Sequence, residues 1–245
     1  MRLSQAWIIA RHDISLIRVR RGVLVGLFAY PLGVGIGFPV LISLILSEGG
    51  ADPASWLPQF IDAFAFWFVI GAVSIPTAIA AYSIVGEKIE KSLEPLLATP
   101  TTDSEILMGK ALAAFVPTML AIWSGATIFM ALADWAVRGA LGGLYYPNWT
   151  MGVILLLAAP LACLFSIEVS IAVSARTTDV RSAQQYGGLV FLPLIILYVG
   201  SEIGSFVLNT PHLLIVAAGL AVLDLLLFIV SRATFHRDEI LTRWK

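Results

Sequence analysis

The chain has 245 residues, 59% of them hydrophobic and 13% charged, with a net charge of −1 and a mean hydropathy of +0.91. A soluble domain carries about 25% charged residues, so this composition excludes one and points to a single helical membrane domain over residues 1–245. The near-neutral charge offers no global field for nucleic acid, and the lone cysteine, Cys163, excludes an intrachain disulfide and a cysteine-cluster metal site.

The chain opens on an arm carrying Arg2, Arg11, Arg18, Arg20 and Arg21. No apolar core precedes Gly22, so the arm is not read as a cleavable signal peptide. On a helix, Leu3, Ala6, Trp7, Ala10, Ile14 and Ile17 fall on one stripe, with Arg11 and Arg18 beside it. That pattern predicts an amphipathic interfacial helix on the inner leaflet, its arginines reaching for headgroups.

Apolar runs long enough to span a bilayer follow at 22–47, 61–85, 111–136, 149–175, 185–203 and 211–231. None alternates as a barrel strand would. In the first span Gly22 and Gly26, and Gly33 and Gly37 with Gly35 between them, have small-xxx-small spacing, which permits close helix contact without identifying a dimer face. Pro31, Pro39, Pro76, Pro117, Pro160 and Pro193 are expected to kink their spans.

Fourteen of the fifteen basic residues fall in the arm, the second and fourth connections and the tail; only Arg138 lies on the other side. The positive-inside rule therefore places both termini in the cytoplasm. Trp56, Phe60, Trp67, Trp135, Tyr145, Tyr146 and Trp149 form an outer aromatic belt, and Trp7, Tyr82, Tyr186 and Trp244 an inner one. Asp62 and Asp134 sit at the outer ends of their spans and read as interfacial; the Asn148-Trp149-Thr150 sequon abuts a span and reads as chance.

The second connection differs in kind. It holds five charged residues in the eight positions from Glu87 to Glu94. Gly86 is expected to cap the second span. Ile89, Leu93, Leu96 and Leu97 then recur at helical spacing, while Glu87, Glu90, Lys91 and Glu94 fall largely away from that stripe. Pro95 limits the helix and Pro100 stops it. Thr102-Asp103-Ser104-Glu105 is a capping-box pattern, predicting a new helix that runs through Gly109-Lys110 into the third span.

This pattern resembles the signature of the ABC-2 permease family, the membrane subunits of one class of ATP-driven exporters. Glu87-Lys88, the run from Ser92-Leu93-Glu94 through Thr99-Pro100, then Glu105 and Gly109-Lys110 carry the likeness, and Lys91 departs from it where the family usually has glycine. Six spans, inside termini and an amphipathic arm extend it over the chain. The resemblance implies a coupling helix that docks in a groove of a separate ATPase subunit, with Glu87, Lys88, Glu90, Glu94, Thr99 and Pro100 as the coupling residues. It further implies two permease copies, here a homodimer, enclosing the route in the lipid of a prokaryotic plasma (inner) membrane, with two ATPase copies below and an unknown exported substrate. The chain lacks the Gly-x-x-x-x-Gly-Lys-Ser/Thr phosphate loop, since Gly109-Lys110 precedes Ala111. No cofactor is therefore expected on this chain, and ATP and Mg belong to the partner.

Two carboxylates interrupt the later spans: Glu168 in the fourth and Asp224 in the sixth. An ionised group there costs at least about 2.5–3.5 kcal/mol, so they are expected to line the translocation route, or to be protonated or satisfied by each other or by Ser166 and Ser170. The alternative function is an ion- or proton-coupled carrier using this pair. An intramembrane enzyme is disfavoured, because His12, His212 and His236 are scattered and no nucleophile elbow or zinc-binding histidine pair occurs.

Overall fold

In hydrocarbon a backbone amide has no water to turn to, so a spanning segment without barrel character closes its hydrogen bonds within a helix. The computed structural model describes residues 3–19, 21–48, 53–89, 101–176, 180–202 and 209–234. In chain order these form α1 (Leu3–Val19), α2 (Arg21–Ser47), α3 (Pro53–Ala65), α4 (Trp67–Ile89), α5 (Asp103–Leu141) and α6 (Trp149–Val153). A π-helical turn (Ile154–Ala158) leads to α7 (Ala159–Arg176). Then come α8 (Val180–Gly188), a 3-10 turn (Leu189–Phe191), α9 (Leu192–Glu202) and α10 (Thr210–Thr234). Among the described residues there is no strand, and six segments are long and apolar enough to cross a membrane. The protein is an all-α integral membrane protein.

The second crossing starts earlier than its composition suggests, at Pro53 rather than near residue 61. Pro53 fits the first helical position, where its missing amide costs nothing. Phe66 breaks the helix for a single residue, bridged by the Phe66 amide on Ala63 and the Ile70 amide on Phe66, both 3.2 Å. At its far end α4 runs through Gly86 to Ile89, so Gly86 does not cap it. One glycine costs a helix about 1 kcal/mol, too little to end it. Among the described residues the left-handed C-cap is Gly142 (φ 71°), which closes α5.

The core lies where α4, α5 and α7 meet, with Phe68, Met119, Ile122, Phe129, Ile154 and Ile167 fully or almost fully buried. Phe68 meets Phe129 edge-on at 5.6 Å. The 39-residue α5 is about 58 Å long, nearly twice the hydrocarbon thickness, and emerges at both ends. α2 packs along α5 on one side and α10 along α7 on the other.

Prolines shape this bundle locally. In the π turn Ala159 donates to Ile154, a register in which Leu155 would accept from Pro160, which has no amide. The indole Nε1 of Trp123 on α5 supplies that bond at 3.1 Å.

The α2–α5 crossing uses small residues, but not the expected pairs. A methyl at Gly35 would lie 2.5 Å from the Gly125 carbonyl oxygen, and one at Gly125 2.5 Å from that of Pro31. Gly22, Gly26, Gly33 and Gly37 face open space instead. Gly35→Ala should therefore destabilise the protein by about 1–3 kcal/mol, whereas Gly33→Ala should stay within about 1 kcal/mol of the parent. Thermal unfolding in mild detergent checks this; equal melting temperatures for the two variants would contradict the crossing.

Candidate functional site

The last span buries one stripe. Leu213, Ala217, Leu220 and Asp224 recur at helical spacing, and α10 packs against α7. The stripe thus carries Asp224 into the contact, where the residue is 8% exposed. Both its carboxyl oxygens are shielded and lack a hydrogen-bond partner, and so is Oε2 of Glu168 on α7. Cys163 and Glu168 both lie on α7, the helix that packs against α10. The structure therefore brings the two sequence-predicted carboxylates together on facing helices.

The expected help from nearby hydroxyls is missing. Ser166 Oγ donates instead to the Val73 carbonyl of α4 at 2.6 Å. Ser170 Oγ has no partner of its own and faces α8, where a methyl at Gly187 would lie 2.8 Å from it. Its helical position explains this: Cys163, Ser166, Ile167, Ser170 and Ser174 form the face turned to the core, and Glu168 points elsewhere. A shielded, unpartnered carboxyl costs a folded protein about 1–3 kcal/mol, so its retention needs a reason other than stability.

At the end of the bundle rich in basic residues, α1 packs on the start of α5. Thr102 caps α5 as its sequence predicts: its hydroxyl accepts from the Glu105 amide at 3.3 Å, and the Glu105 carboxylate accepts from the Thr102 amide at 3.0 Å. The buried face of α1 is Ala6 and Ala10, with Ile9, Ile14 and Ile17 partly covered; Trp7 stays half exposed. Gly109 allows this contact, since a methyl there would sit 2.8 Å from Ile9 Cβ and 2.9 Å from the Ala6 carbonyl oxygen. The next residue, Lys110, is buried and its Nζ lies 3.8 Å from Asp13 Oδ2. Neither Asp13 nor this junction is evident from the sequence; the adjacent Gly109-Lys110 pair was its only trace.

Of the expected coupling residues, Glu87 and Lys88 fall in the last turn of α4, about fifteen residues before the capped start of α5. Glu90, Glu94, Thr99 and Pro100, and with them the expected coupling helix, lie outside the described residues.

A family model described as ABC-2 family transporter protein matches residues 7–230. The chain belongs to the ABC-2 transporter family. It is accordingly a multi-pass membrane permease of an ABC transporter, a subunit that is not itself catalytic, and membership implies association with an ABC ATPase subunit. No curated protein matches the chain.

At the opposite end of the permease, carboxylates build a loop. Asp134 Oδ1 accepts from the amides of Tyr145 and Tyr146, both at 2.9 Å. Asn148 caps α6 through the Met151 amide at 2.8 Å and donates from Nδ2 to Asp62 at 3.1 Å. Asp62 and Asp134 are thus structural acceptors at the bundle end. Of the residues expected in the outer belt, Trp135 and Trp149 are 74% and 85% exposed, whereas Tyr146 is buried in the core.

If function retains Asp224, removing its charge should help the fold. Asp224→Leu is expected to stabilise the detergent-solubilised permease by about 1–3 kcal/mol while abolishing transport. A lowered melting temperature would instead make Asp224 a structural group.

Proposed function

We propose that the permease forms the translocation route of an ATP-driven exporter as a homodimer, each copy engaging one ATPase subunit through residues 87–100. Glu87, Lys88, Glu90, Glu94, Thr99 and Pro100 make that contact, and ATP and Mg are bound by the partner alone. The basic end, with both termini, faces the cytoplasm of a prokaryote, and the loop around Tyr145 and Asn148 faces outward. The amphipathic arm lies on the inner leaflet.

The junction at the foot of α5 is the observation that supports this reading most. The segment after α4 ends at Thr102, whose capping box starts a helix extending to Leu141. Gly109 and the Lys110–Asp13 contact lock α1 to that helix's first turns. A partner pushing on residues 87–100 therefore acts on a rigid lever spanning the bilayer. Closure of the ATPases on ATP would move both levers and switch the route between inward- and outward-open states. Glu168 and Asp224 are the polar station on that route.

Glu94→Lys tests the coupling. Reversing a charge at a docked contact costs about 2 kcal/mol or more, so ATPase affinity should fall about thirtyfold and transport with it, while membrane insertion stays unchanged. Wild-type transport by this variant would reject the coupling assignment.

The unpartnered carboxylates favour a second reading, an ion- or proton-coupled carrier working through Glu168 and Asp224. Transport by the permease alone in liposomes, driven by an imposed ion gradient with no ATPase present, would select it; transport that requires the ATPase excludes it.

A further inference from the structure

At the end of the bundle opposite the basic one, α3, the loop before α6 and the ends of α9 and α10 surround a cavity of about 410 Å³. That volume suits a small organic molecule. Its wall carries three aromatic rings, Trp56, Phe60 and Tyr145, and one carboxylate, Asp62, with Gln59 and Asn209 beside them. Trp56 and Phe60 stand edge to face, with centroids 5.6 Å apart and planes at 74°.

The charge environment of Asp62 is one-sided. Its carboxylate accepts from Asn148 Nδ2 at 3.1 Å, and the hydroxyls of Tyr145 and Thr150 face it. All three neighbours are neutral, and no basic side chain among the described residues lies within ion-pair distance of Asp62. Tyr145 is occupied too: its hydroxyl donates to the Pro58 carbonyl at 3.1 Å. The Tyr145 phenol is held above its ordinary range, first by burial and then by the Asp62 charge. The neutral Asn148 amide orients the carboxylate, and no cation offsets its charge among the described residues.

We propose that this cavity is a binding site for an organic cation, whose charged nitrogen sits between the Asp62 carboxylate and the faces of Trp56 and Phe60. A carboxylate attracts such a group by charge, and an aromatic face by its quadrupole; both attractions are lost for a neutral molecule of the same shape. Aromatic rings with one carboxylate are poor ligands for a bare metal ion, and no group of three or more His, Cys, Asp or Glu exists among the described residues. In the orientation proposed above the site opens outward, where a cation passed on by Glu168 and Asp224 would be held before release. The binding itself depends on neither orientation nor ATPase coupling.

The test uses the purified permease alone, in nanodiscs, titrated with benzyltrimethylammonium and with its neutral carbon isostere neopentylbenzene, followed by calorimetry. Saturable binding of the cation, at least about tenfold tighter than that of the isostere, is expected. Asp62→Asn should weaken it by about tenfold or more. Because Asp62 also holds Asn148, Trp56→Leu is the companion variant: it leaves that hydrogen bond intact and should weaken cation binding several-fold in a protein that remains folded. Equal affinity for cation and isostere, or cation binding unaltered by Trp56→Leu in a folded protein, overturns the proposal. Either result leaves the ATPase-coupled reading standing, since that reading is judged with the partner present.

Discussion

A polar group inside hydrocarbon has no solvent to fall back on, and this constraint orders the whole permease. It explains why the described residues are almost entirely helical, and why each break in a helical ladder is repaired from a neighbour. Trp123 donates to the Leu155 carbonyl that Pro160 cannot serve. Tyr30 reaches across from α2 to the Trp67 carbonyl, one residue after the Phe66 break. Asp134 gathers two amides of the loop that follows α5. Each repair ties two segments together, so local satisfaction of polar groups also fixes the tertiary arrangement. Against that background Glu168 and Asp224 stand out as carboxyl groups among the shielded, unpartnered polar groups of the described residues, the others being the Trp67 indole and the Tyr146 and Ser170 hydroxyls. Stability alone would have replaced the two carboxylates.

The same accounting bears on how force could reach them. Lys110 is nearly inaccessible and beside Asp13, an arrangement that costs desolvation and is retained where a defined geometry matters. It joins the arm to the foot of α5, and α5 in turn packs on α2, α4 and α7. α7 carries Glu168 and contacts α10, which carries Asp224. The contact chain from the foot of α5 to the carboxylates therefore runs through packed helices at every step.

Much of this was legible in the sequence, for local reasons. Span positions follow from run lengths of apolar residues, and the capping box at Thr102 and Glu105 needs only four adjacent positions. The carboxylates announced themselves by interrupting apolar runs. What escaped depends on which residue meets which across helices. Two glycine pairs in α2 have the right spacing, yet the crossing uses Gly35, because only that face meets Gly125. Gly86 looked like a cap because charge follows it, but the helix carries its charged last turn onward to Ile89. The second span begins before its uncharged run, because Pro58, Gln59 and Asp62 are carried inside the helix and line a polar wall beside Tyr145 and Asn148. Asp13 was one charge among many on a basic arm until the structure set it beside Lys110.

The proposed route places Asp224 on a water-accessible path whose opening the partner ATPase controls. Thiol labelling tests it most directly, since Cys163 is the only native cysteine and is buried. In a Cys163→Ala background, Asp224→Cys and the exposed, lipid-facing control Val222→Cys would be probed with a membrane-impermeant, water-borne reagent, with the ATPase present, with and without ATP. The account predicts that the thiol at position 224 is labelled at a rate that changes with ATP, while that at 222 is not labelled. Absence of labelling at 224 in every state, or labelling indifferent to nucleotide, would contradict it.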